Sequence, residues 1–355
     1  MIQQTRRKLV SIIFCLAMAI TTYCVNAQND SETSSKNHLI NSLLNEKLEY
    51  YRHLYPEISF LLLKGDGQVL ADMMLLGKTL GRQPKSMDYE HPPELREDLI
   101  TVSIKRIQLM LQYKMPSASL FLANDTQEKP KPVCVLTIHP GEVALDSVLA
   151  TQSLLDLPQK IIEKVPEEFR LKSTDYLEFV IDHEVYHCLQ SMFIGPQKMS
   201  QKELAGEYNN FHNEQGADAY AVAMHINTRL EVSAFVRNIL RVRGMSLYSS
   251  DPDHLTCKAL QQVFKVPVED IVEMNAKEIF EMASKIRERL TISYDGYIQY
   301  LASSIQAMNE LGVGELVSDD LRKKASKAQS DPVQVKELVT NTHRYLSDLS
   351  CSELE

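Results

Sequence analysis

Two histidines four residues apart, with a glutamate beside the first, stand at His183-Glu184-Val185-Tyr186-His187. On a helix, that spacing puts both imidazoles one turn apart on the same face, within reach of a single Zn2+. Glu184 lies about 100° further round, placed to act as a base on water at the metal without joining its ligands. Chance would produce this HExxH pattern roughly 0.02 times in a chain of this composition. The flanks sharpen it. Leu177, Val180, Ile181, Val185, Cys188 and Leu189 form one apolar arc on a helical wheel, and the two histidines border it about 40° apart. A metal site at the edge of a core has this pattern. The plain alternative is an amphipathic helix with two surface histidines.

These residues resemble the zinc peptidases that share HExxH. The metzincin branch needs Gly at 190 and His at 193, where this chain has Gln190 and Phe193. The gluzincin branch takes a Glu from a following helix and an Asp four residues later, which Glu214-Gln215-Gly216-Ala217-Asp218 matches. Glu-x3-Asp also begins at Glu94, Glu142, Glu178 and Glu315, but only Glu315 shares the downstream position. Glu315 follows Gly314 at an expected helix start, where the helix dipole already explains an acid. Glu214 instead sits among small residues (Gly216, Ala217, Ala219, Ala221, Ala223) that allow close packing against the first helix. The resemblance therefore implies His183, His187 and Glu214 as ligands of one Zn2+ per chain. It implies Asp218 as the partner that fixes the His183 ring. His212 is the rival third ligand, since His is also a common zinc donor.

The resemblance covers about residues 130–260 and carries two further expectations. An edge strand binds extended substrate through its backbone, and Val133-Cys134-Val135-Leu136-Thr137-Ile138 is the candidate. A Tyr or His from a later segment stabilises the oxyanion. Tyr248-Ser249-Ser250-Asp251-Pro252-Asp253-His254 is similar to a loop where some gluzincins carry a His-Pro pair, although Asp251 stands before Pro252 here. His254 is the first choice for that catalytic donor and Tyr248 the second, with helix capping by Asp251 or Asp253 as the alternative.

The elements that must position these residues follow from periodicity. A helical stripe starts at Leu39, a strand runs over 58–63, and Gly65-Asp66-Gly67 marks a turn. Residues 68–80 read as helix, 81–93 as loop and 93–112 as helix. Two strands are expected at 117–122 and 132–138. Helices are then expected over 152–164, 173–193, 201–229, 230–243, 252–264, 267–290, 293–311 and 332–349. A small strand set followed by many helices is α+β, and the resemblance makes it zincin-like. The expected organisation is a signal peptide over 1–27, an N-terminal α/β region over 28–125 and a mostly helical catalytic region over 126–355.

Arg6-Arg7-Lys8, the apolar run Leu9–Ile20 and Val25-Asn26-Ala27 have the layout of an export signal cleaved after Ala27. An uncleaved anchor extended through Val25 is the alternative, though the run is short for a membrane span. Cleavage removes three basic residues from a net charge of −9 and leaves −12. That balance argues against nucleic acid as a partner. Nothing later in the sequence has transmembrane length, so a periplasmic or secreted protein is expected. Cys134, Cys188, Cys257 and Cys351 remain after cleavage, and their spacing leaves all three pairings open. The expected function is zinc-dependent cleavage of peptide or protein substrates, with Glu184 as general base. A non-catalytic zincin-like envelope assembly or binding factor is the alternative.

Overall fold

The computed structural model describes residues 40–64, 69–81, 85–86, 99–113, 116–123, 130–138, 173–195, 205–245 and 252–310. Its strands alternate side chains between two helical layers. The sheet comprises β1 (Ser59–Leu63), β2 (Lys85–Ser86), β3 (Ser117–Ala123) and β4 (Lys131–Thr137), in the order β1-β4-β3-β2. β4 runs parallel to β1 and antiparallel to β3. On one face Val133, Val135, Phe121 and Leu63 pack with residues of α2 (Val69–Leu80) and α3 (Leu99–Tyr113). On the other, Cys134, Leu136, Leu120 and Phe60 join the main core with α1 (40–54) and the helices that follow the sheet. Burial on both faces explains the near-continuous apolar run of β4. It also corrects one expectation. Residues 133–138 supply an interior strand, paired on both sides, and offer substrate no free edge. β2 falls inside the stretch expected to be loop; only Lys85 and Ser86 pair, with Leu122 and Phe121.

The helical layer is α4 (Ser173–Phe193), α5 (Ala205–Arg229), α6 (Ala234–Met245), a 3-10 turn (Pro252–His254), α7 (Cys257–Phe264), α8 (Val268–Glu273), α9 (Ala276–Arg289) and α10 (Tyr294–Glu310). The described fold is thus α+β and mostly helical, and none of its helices is long and apolar enough to cross a membrane. α4 has neither Gly nor Pro until Gly195, whose φ of 72° ends it while its N–H donates to the Gln190 carbonyl. The expected helix over 267–290 is two helices. Asn275 caps α9 by accepting from the Lys277 and Glu278 amides, and Glu278 accepts in return from the Asn275 N–H. That Asn-x-x-Glu box was present in the sequence as a start signal. The helix expected from 252 begins at Cys257, after the 3-10 turn. The helices expected over 152–164 and 332–349, and the export signal, lie outside the described residues.

Candidate metal centre

α4 and α5 pack antiparallel, and their pairings set the register of the site. Arg229 at the end of α5 bridges Asp175 and Glu178 near the start of α4, and Gln190 donates to Asn213 at the opposite end. Between these ties, His183 and His187 face Glu214 and Asp218. Close approach depends on Gly216, where an added Cβ would lie 2.1 Å from the Tyr186 hydroxyl. Cys188, next to His187, is disulfide-bonded to Cys134, so β4 is fastened directly to the helix that carries both histidines. Cys257 is disulfide-bonded as well.

His183 Nε2 lies 2.8 Å from Glu214 Oε2 and 3.2 Å from His187 Nε2, and His187 Nε2 lies 3.4 Å from Glu214 Oε1. One ligand atom from each of the three residues falls within 4.8 Å of the others, so the group could hold a metal ion. His183 is turned the right way for it. A carboxylate can only accept, so the 2.8 Å contact with Asp218 Oδ1 puts the proton on Nδ1 and points Nε2 at the cluster. Two imidazoles and a carboxylate are a donor set that suits Zn2+.

Asp218 is itself held from three sides. Arg243 of α6 reaches both its oxygens, at 2.6 Å through Nε and 2.9 Å through Nη2, and Thr256 donates its hydroxyl to Oδ2. Burial works against the Asp218 anion, but Arg243 and His183 outweigh it and hold its pKa far down. Sequence reasoning missed Arg243, though a signal existed. Val236, Leu240 and Arg243 share the buried stripe of α6, whereas Arg237 and Arg241 are exposed. A cation on a core stripe needs a buried anion.

His254 lies 3.1 Å from Glu214 Oε2, with its ring stacked 5.8 Å from that of His183. Its place follows from anchors on the same turn. Asp253 accepts from Tyr297 and Asn210, and Thr256 is tied to Asp218. Asp253 therefore serves tertiary anchoring. Tyr248 and Asp251 lie outside the described residues. His212, the rival ligand, is fully buried on another face of α5 against Tyr208 and Phe211, and does not join the cluster.

Burial raises the Glu184 pKa against the pull of His183 and His187, with Glu214 adding to the rise and Arg106 of α3 opposing it. Burial raises that of Glu214 too, yet His254, His187 and His183 outweigh it and the carboxylate stays ionised. Burial would discharge His183, but Glu214 and Asp218 push its pKa up to about 9. The cluster thus combines an ionised carboxylate, an orienting carboxylate and a third whose proton affinity is raised. No protein-family profile, curated protein or solved structure matches this chain.

Proposed function

We propose that this protein is a zinc-dependent peptidase of zincin-like architecture, exported to the periplasm or beyond. What supports the reading above all is Glu184, buried beside His183, His187 and Glu214 with its pKa raised by that burial. A purely structural zinc site has no use for such a carboxylate, whereas a general base works best with its pKa moved toward the working pH. Zn2+, when bound, supplies a Lewis acid that acidifies water and polarises a carbonyl.

The residues of the chain do the rest. Glu184 takes the proton from the attacking water and passes it to the leaving amine. Asp218 keeps the His183 proton on Nδ1, and Arg243 and Thr256 keep Asp218 in place. His254, one hydrogen-bond length from Glu214, is the donor best placed to meet charge developing on the scissile carbonyl. With β4 inside the sheet, the strand side proposed to receive substrate is the part of β3 that β2 leaves uncovered among the described residues. Among the described residues β3 pairs with β2 only at Phe121 and Leu122, and it packs against α4, so an extended peptide would add there. The Cys134–Cys188 bond fits an oxidising compartment.

Glu184→Gln keeps shape and ligands while removing the base. Metal content by elemental analysis should stay at one per chain, while hydrolysis of an unfolded protein substrate falls at least about 100-fold. A wild-type protein that binds metal but cleaves nothing the variant spares would leave the binding-factor reading in its place.

A further inference from the structure

Cys257, the first residue of α7, is disulfide-bonded to a cysteine outside the described residues. The chain has six cysteines, and Cys134 and Cys188 are bonded to each other. Cys15, Cys24 and Cys351 are left. Cys15 stands inside the apolar run Leu9–Ile20, and Cys24 lies three residues before the expected cleavage after Ala27. Both depart with the export signal. The elimination rests on that export reading, and it leaves one thiol.

The surroundings of Cys257 suit that partner. Cys257 is fully buried on the inward stripe of α7 with Ala259, Leu260 and Val263, and α7 packs on α5 and α6. A disulfide brings its two Cα atoms to within about 7 Å. The partner of a buried sulfur therefore has to bring apolar neighbours to the core with it. Tyr345, Leu346 and Leu349 stand just before Cys351.

We propose that Cys257 is bonded to Cys351, and that this bond clamps the turn carrying His254 and Thr256 beside the metal cluster. Thr256 donates its hydroxyl to Asp218 and its N–H to the His254 carbonyl. Its own carbonyl accepts from the Ala259 and Leu260 amides. The turn and the start of α7 are thus one hydrogen-bonded piece, and a covalent tie at Cys257 restrains all of it. Cys188 stands next to His187 in the same way, so a disulfide adjoins each of the two segments.

The test starts from the wild-type protein, digested with trypsin without reduction after free thiols are blocked. Mass spectrometry should find the peptide Gly244–Lys258 linked to the peptide that begins at Tyr345 and contains Cys351. A link to a peptide from residues 9–36, or Cys351 recovered as a blocked thiol, would overturn the pairing. N-terminal sequencing separates the two premises. The 257–351 link in a chain that keeps residues 1–27 upholds the pairing and removes only the cleaved signal. Hydrogen exchange reads the clamp. In the wild type the Ala259 and Leu260 amides should be protected as strongly as those of β4. In Cys351→Ala they should exchange at least about tenfold faster than β4 does, because the turn then opens locally. A loss of protection shared equally by α7 and β4 would overturn the clamp.

Discussion

Asp218 accepts from His183, Arg243 and Thr256 together, so one carboxylate orients a candidate metal ligand and neutralises a buried cation. Its loss should therefore read out twice. Asp218→Ala is expected to weaken metal affinity about 10–100-fold and to destabilise the metal-free protein by about 3–5 kcal/mol, because the buried Arg243 loses the carboxylate that neutralises it. Urea unfolding of the metal-free variant checks the second part; an unchanged midpoint would mean that Arg243 finds another acceptor. Glu214→Ala and His212→Ala should separate the two candidate third ligands. The first should lose metal on dialysis. The second should keep one metal per chain while losing about 2–4 kcal/mol to a cavity beside Tyr208 and Phe211. The ligands were legible because His183, His187, Glu214 and Asp218 sit on two helices at spacings of four residues. Thr256 was not, because its part depends on a chain return 38 residues beyond Asp218 that no local pattern encodes.

Helix α4 could be read from the sequence over its whole length, since nothing inside it breaks a helix and Gly195 ends it. Strand β4 was legible as a strand but not as an interior one. Sheet order depends on which remote strand arrives beside it, and β1 lies some 70 residues earlier, an offset read from the Ser59 and Val133 register. The α4–α5 crossing makes a sharper claim. At Gly216 an added methyl would meet the Tyr186 hydroxyl at 2.1 Å and its ring at 2.5 and 2.7 Å, and an aromatic ring cannot bend away. Gly216→Ala is expected to cost about 1–3 kcal/mol, and Tyr186→Leu in the same chain should restore part of it. Additive losses in that double-mutant cycle would place the clash elsewhere.

The main core runs from α1 through the Cys134 and Leu136 face of the sheet to α10, and α1 is pinned to α4 by Lys47 and Tyr51 on Asp182. Metal binding on one element is therefore expected to stabilise the whole. Treatment with a chelator should lower the unfolding midpoint by about 5–10 °C, given roughly 4 kcal/mol from a ligand at 1,000 times its dissociation constant. Calorimetry with and without added Zn2+ checks this, and an unchanged midpoint would detach the cluster from the fold. The disulfide from Cys134 to Cys188 has a separate consequence at this scale. It closes a covalent ring that contains His183, Glu184 and His187. A protease that cuts anywhere between residues 135 and 187 opens the ring but severs nothing. The two halves stay one particle on a non-reducing gel and part only when thiol is added, so a preparation nicked once per chain in that stretch still runs there as a single species.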